Sequence, residues 1–246
     1  MSVLSAEGLT KSYKKGINAA ENITFSVEKG EIFALIGPNG AGKTTTIRMI
    51  ATLLTPTEGD AVISGHSVVK EPEKAREHIT YLPDEAGAYK SMKGIDYLNF
   101  MAGLYAKTSA EQSEYVKRAV DMCGLGERLE ERINGYSRGM IRKLLLSRAV
   151  MSRPDLAILD EATSGLDVLN ALDIRKTIKR LAREEGMSFL LSSHNMLEIE
   201  FLSDRVGIMS EGKLLLTGTI EDLKSKFGAR NLEEVFEKAV SGEVSL

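Results

Sequence analysis

Residues 37–44 read GPNGAGKT, a match to G-x-x-x-x-G-K-[ST], set between the apolar run IFALI and Lys43–Leu54, which has the length and composition of a helix. A strand that curls through glycines into a helix requires a βα unit, so this feature restricts the chain to a layered α/β fold. Glycine is needed at Gly37, Gly40 and Gly42 because the backbone must turn successive N–H groups toward one point, where the helix amino terminus adds partial positive charge. Pro38, Asn39 and Ala41 complete a cradle for phosphate oxygens. Lys43 supplies an ammonium for β- and γ-phosphate oxygens, the Thr44 hydroxyl is placed to ligate Mg²⁺, and Thr45 and Thr46 extend the hydrogen bonding.

A metal-bound nucleotide also needs a carboxylate. Leu156–Glu161 reads LAILDE, an apolar strand closing on two acids, the Walker B pattern. Asp160 would hold the metal through water, and Glu161 would accept a proton from an attacking water. Alone, such a pair is equally well explained as a helix cap or a solvated turn; beside a phosphate loop the metal reading is favoured.

The first third of the chain reads mostly as strands: Val3–Ala6, Asn22–Val27, Glu31–Ile36 and Asp60–Ser64, then Ile79–Leu82. From about Gly87 to Ser152 the segments Gly94–Tyr105, Ala110–Cys123 and Arg138–Met151 have helical character. After that, strand and helix alternate through Leu156–Leu159, Val168–Glu185, Ser188–Ser192, a short helix from Met196, Val206–Met209 and Leu214–Leu216. This alternation predicts a βαβ core with a mainly parallel sheet, and LAIL and FLLS are apolar throughout, as strands covered on both faces should be. Two closing helices, Ile220–Lys226 and Leu232–Val240, are expected to pack on their own domain.

Composition excludes several classes. With 32 basic and 35 acidic side chains the net charge is -3, so no global positive field recruits nucleic acid or anionic lipid. The basic run Arg138, Arg142, Lys143 and Arg148 falls around one helix and predicts a solvated face; no nucleic-acid partner is expected. A lone cysteine, Cys123, forms no intrachain disulfide and suits a reducing compartment. No apolar run reaches the roughly 18 residues that cross a bilayer, and the amino terminus lacks an apolar core with a cleavage site, so the chain is expected to be neither secreted nor membrane-spanning by itself. His66 and His78 fit no motif and are expected to be surface or packing residues.

Three further motifs narrow the choice. Residues 136–140 read YSRGM, 164–167 read SGLD, and His194 follows the strand-like FLLSS. Ser137 caps a helix beginning at Arg138, so its hydroxyl and the Gly139 N–H offer a second anion site. In this order, around the phosphate loop and Walker B strand, the motifs resemble the ATP-binding cassette (ABC) of ABC transporters, over nearly the whole chain. The resemblance implies an α/β P-loop NTPase cassette with a mainly parallel core sheet, an N-terminal antiparallel β subdomain and an inserted helical subdomain. The 246 residues would then form one ATP-binding domain: core at about 1–86 and 153–218, helical signature subdomain at about 87–152, and C-terminal helices at 219–246.

The resemblance also implies roles. Tyr13 stacks on adenine; Ser137 and Gly139 meet the γ-phosphate of ATP held by a second copy of the chain; Asp167 belongs to the D-loop; His194 senses the γ-phosphate and holds water with Glu161. ATP and Mg²⁺ are the implied cofactors, a membrane-spanning permease subunit the implied partner, and the cytoplasmic face of the cell membrane the implied location. Asp84, in YLPDE, stands where the family has its Q-loop glutamine and is a candidate metal ligand; YSRGM replaces LSGGQ, and Ala162 stands where the family often has proline. YLPDE, the aromatic-rich stretch after it and YSRGM together resemble the branch of sodium-efflux and drug-resistance exporters. Two other readings remain at this point: an ABC-type ATP-gated clamp or scaffold outside transport, and a phosphate-loop kinase or GTPase, for which YSRGM and SGLD would be coincidences.

Overall fold

A computed structural model describes residues 2–14 and 16–241. β1 (Ser2–Lys14) and β2 (Ile17–Glu28) form a long antiparallel hairpin, and β3 (Ile32–Ile36) runs through the phosphate loop into α1 (Lys43–Ile50). The chain continues through β4 (Glu58–Ile63), β5 (His66–Ser67), α2 (Pro72–Glu77) and β6 (Ile79–Leu82). Three helices follow, α3 (Gly94–Tyr105), α4 (Ser109–Cys123) and α5 (Arg138–Val150), with short 3-10 turns between the last two. The alternating part is β7 (Leu156–Asp160), α6 (Val168–Glu185), β8 (Ser188–Ser193), α7 (Met196–Leu202), β9 (Arg205–Ser210) and β10 (Lys213–Thr219), closed by α8 (Ile220–Phe227) and α9 (Leu232–Ser241).

These strands make two sheets. One is four-stranded and antiparallel, in the order β2-β1-β4-β5; the other has the order β10-β9-β3-β8-β7-β6, with every pair parallel except β9 with β10. Because side chains alternate across a strand, the continuous apolar runs serve two cores at once. Ile32, Ala34, Ile36, Leu159 and Leu191 face the layer that includes α3, α4 and α5, while Phe33, Leu35, Leu156, Ile158 and Leu190 pack against α1 and the antiparallel sheet. The parallel arrangement brings the carboxyl ends of β3, β7 and β8 together, which puts the phosphate loop, the acid pair and His194 at one edge of the sheet.

Several element boundaries differ from the sequence reading. β1 and β2 run well beyond Val3–Ala6 and Asn22–Val27, because repeated register shifts in the hairpin break the alternation that would have marked them. The helix after the phosphate loop ends at Ile50 rather than Leu54: Thr52 takes a positive φ of 60°, and the N–H groups of Leu53 and Leu54 both return to the Arg48 carbonyl. α2 had no sequence signal because it is a single short turn opened by Pro72. The closing helices do pack on the domain: Leu232, Val235 and Ala239 enter the larger core, and the Glu200 carboxylate binds Lys224 Nζ and the Leu232 N–H. Cys123 is free and buried, and burial pushes its thiol pKa up.

Candidate active site

The cradle depends on close backbone approach. A Cβ on Gly37 would lie 2.2 Å from the Met209 carbonyl oxygen, and one on Gly42, at φ 98°, would lie 2.5 Å from that of Ala19. The β9–β10 turn closes the back of the loop, where the Gly212 N–H donates to Ala41 O at 3.2 Å. Lys43 opens α1 and is buried; its ammonium donates to Gly37 O at 2.6 Å and Pro38 O at 3.1 Å. Burial lowers its pKa below the ordinary lysine value, against the pull of Glu161 and then Asp160. The lysine amine is thus tethered by two neutral backbone carbonyls.

Asp160 ends β7 only 3% exposed. Its Oδ1 accepts from the Thr44 hydroxyl at 3.5 Å and from the Ser192 hydroxyl of β8, and its Oδ2 accepts from the Tyr81 hydroxyl of β6 at 3.4 Å. Two hard oxygen groups from different ends of the chain are thereby held side by side, the donor set a Mg²⁺ ion prefers. Glu161 follows at a positive φ of 51°, pinned by its N–H donating to Ser192 O at 3.1 Å and Ser192 Oγ at 3.2 Å. Its Oε1 lies 2.9 Å from His194 Nδ1. Glu161 is largely covered while half of the His194 side chain is open to solvent, so the pair presents one face outward.

A cleft of about 360 Å³ is lined by Asn39–Thr45, Asp84, Asp160 and Glu161, with Ala19 of β2 at its rim. The structure therefore brings together the phosphate loop, both Walker B acids, Asp84 and, through Glu161, His194. Pro38 lies outside this lining and contributes its carbonyl to Lys43. Tyr13, Ser137, Gly139 and Asp167 do not line the cleft. Tyr13 is 60% exposed on the hairpin, with Lys11 Nζ 5.9 Å from its ring centre. Ser137 is the N-cap of α5, accepting from the Met140 N–H at 3.3 Å. Asp167 is the N-cap of α6; its Oδ1 accepts from the Asn170 N–H, and that hydrogen bond lowers its pKa. The same Asn170 side chain sits where a Cβ on Gly139 would fall, 2.4 Å from its Cγ, so the amino ends of α5 and α6 abut.

One expectation is overturned. The basic run on α5 is not a solvated face, because Arg142 is only 7% exposed and points into the core toward β6 and β7. Lys143 pairs with Asp173 at 2.7 Å, Arg148 is half-buried, and among the four only Arg138 is exposed. Helical spacing placed Arg142 on the same face as Leu145 and Ala149, but sequence alone showed no acceptors there, since backbone carbonyls leave no residue signal. Tyr81 and Ser192 were missed for a related reason: each reads as an ordinary strand residue until the sheet aligns it with Asp160. His66 and His78 stack at 5.4 Å, and His78 pairs with Asp155 at 2.7 Å, in keeping with the expected surface or packing role.

Comparison with known proteins agrees with this arrangement. A family model described as "ABC transporter" matches residues 20–164. The chain is 37% identical to the linearmycin resistance ATP-binding protein LnrL of Bacillus subtilis (strain 168), over 98% of this chain and 76% of that protein. It is 34% identical to the daunorubicin/doxorubicin resistance ATP-binding protein DrrA of Streptomyces peucetius, over 93% of this chain and 69% of that one. A solved structure described as the ATP-binding subunit of an ABC transporter superposes with a TM-score of 0.85 at 31% identity, covering 97% of this chain and 100% of that one. Among the described residues, no helix is long and apolar enough to cross a membrane.

Proposed function

The chain belongs to the ABC transporter family as an ATP-binding subunit, and from that premise we propose that its own residues bind ATP in the Gly37–Thr45 cradle and hydrolyse it through Glu161. The single observation that carries this reading is the contact of His194 Nδ1 with Glu161 Oε1 at 2.9 Å, beside a cleft that also holds Lys43, Thr44 and Asp160. Family membership sets aside the kinase and GTPase reading, and relatives that bear the names of resistance transporters favour transport over a clamp or scaffold.

In this mechanism the backbone N–H groups of the loop and the Lys43 ammonium take the β- and γ-phosphate oxygens, neutralising charge that spreads over them as the bond to the γ-phosphoryl group loosens. Glu161 orients the attacking water and takes its proton, while His194 fixes the carboxylate through Oε1 and turns its open face to the γ-phosphate. Thr44 and Asp160, adjacent at 3.5 Å, fit Mg²⁺, which when bound would offset charge on the β- and γ-oxygens. Asp84 is a further candidate ligand at the cleft wall, shorter than a glutamine and negatively charged. Ser137 and Gly139 at the start of α5, with Asp167 beside them, are proposed to face the nucleotide of a second copy, and Tyr13 on the hairpin to stack on adenine.

The division into a core, a helical subdomain at about 87–152 and C-terminal helices belongs to the same proposal. So do peripheral placement at the cytoplasmic face of the membrane, an exporter role, and a permease docking near Asp84–Tyr97. Exposed Tyr89 within that segment and Phe100 just beyond it, in edge contact at 5.8 Å, supply an apolar surface there. The reading is tested by single-turnover and steady-state hydrolysis of MgATP by the wild-type chain and Glu161→Gln. The expected result is retained ATP binding with turnover reduced by at least about 100-fold, in the range of a lost catalytic base. Unchanged turnover in Glu161→Gln would remove Glu161 from the reaction.

A further inference from the structure

A buried cation without a carboxylate bonded to it is costly, and Arg142 is one. Its guanidinium carries five N–H donors. Nε donates to Ala162 O at 2.7 Å; Nη1 donates to Pro83 O at 3.1 Å and Asp84 O at 3.2 Å; Nη2 donates to Asp160 O at 3.0 Å and Glu161 O at 2.8 Å. Every acceptor is a backbone carbonyl. Two belong to the segment leaving β6, where Asp84 lines the cleft, and three to the segment leaving β7, where Asp160 and Glu161 stand. The side chain that reaches them rises from α5, five residues beyond Ser137 and three beyond Gly139.

We propose that Arg142 is a positioning residue that ties α5 to the backbone of Asp84 and of Glu161, so that the orientation of this helix sets where the Glu161 carboxylate stands. The inference rests on the ATPase reading above and adds to it a specific link between the helix that begins with Ser137 and the catalytic acid. Three features support a positioning role over simple core filling. The acceptors sit on the main chain of the catalytic segments, not on scaffold remote from them. Glu161 holds a positive φ, a conformation that persists only where neighbours over-determine it, and Arg142 on one side and Ser192 on the other do so. The planar fork also bonds both segments at once, so α5 cannot turn relative to the core without moving both or breaking buried and partly buried hydrogen bonds. Burial holds the Arg142 pKa below the ordinary arginine value, opposed by the neighbouring negative charges of Asp84, Asp160 and Glu161.

The test compares wild type, Arg142→Gln and Arg142→Lys in the full chain, alone and assembled with its membrane subunit. It measures ATP Kd, kcat per nucleotide-binding site and KM. The expected result is a fall in kcat per site of about 10- to 100-fold in Arg142→Gln, the scale of an ångström-level misplacement of a catalytic group. ATP Kd should stay within about threefold of wild type, because the guanidinium touches no part of the phosphate loop. Arg142→Lys, which keeps the charge but not the planar fork, should lie between the two. Wild-type kcat per site in Arg142→Gln, or a Kd that rises while kcat holds, overturns the proposal. If Arg142→Gln does not fold, Arg142→Lys decides alone: reduced kcat at unchanged Kd supports the link, and any other pattern overturns it. Failure of the wild-type chain itself to hydrolyse ATP would instead count against the ATPase reading.

Discussion

Gly37 shows how little freedom a single position of this site has. Its missing Cβ is replaced by the Met209 carbonyl of β9, so Gly37→Ala must push apart the loop and the strand behind it. Overpacking of this kind costs about 1–3 kcal/mol, and the strain falls on the phosphate cradle itself. The expected outcome is ATP affinity weakened by about tenfold or more with only a small loss of thermal stability, read by calorimetric titration and a melting curve. Gly37 was legible in the sequence because the motif that holds it is contiguous, whereas the Met209 carbonyl that forbids its Cβ comes from distant β9. Asp160 and Glu161 were legible as the end of an apolar strand. Arg142 was misread, since its acceptors come from Pro83 to Ala162 and become neighbours only when β6 and β7 pair. Ser192 and Tyr81 converge on Asp160 by the same sheet register.

Elements were legible to the extent that each carries its own boundary chemistry. α4 begins where Thr108 accepts from the Glu111 N–H at 3.2 Å while the Glu111 carboxylate accepts from the Lys107 N–H at 2.6 Å, and it ends at Gly124 in the left-handed region. Thr108→Ala removes one side of this arrangement far from the cleft. It should lower unfolding stability by about 1 kcal/mol in a denaturant titration and leave kcat for ATP unchanged. The β1–β2 hairpin was underestimated for the opposite reason: its bulges erase the period-2 pattern, and its length is set by pairing with β2 and β4 rather than by its own residues. α5 combines both kinds of information. Its Ser137 cap could be read from sequence, whereas its packing against Asn170 of α6 and its hydrogen bonds to the ends of β6 and β7 could not.

At the scale of the whole molecule, the fold sorts the motifs into two sets. Phosphate loop, Walker B acids and Asp84 gather at one cleft, with His194 joined to it through Glu161, while Ser137, Gly139 and Asp167 gather where α5 meets α6, outside its lining. If both sets close around one nucleotide, as proposed above, the second set must come from another copy of the chain. The most direct measurement is the mass of Glu161→Gln in solution by multi-angle light scattering, without nucleotide and with saturating MgATP. The mass should double with MgATP and return to that of one chain when ATP is removed. A mass that stays at one chain with ATP demonstrably bound, both in isolation and on the assembled membrane subunit, would contradict it.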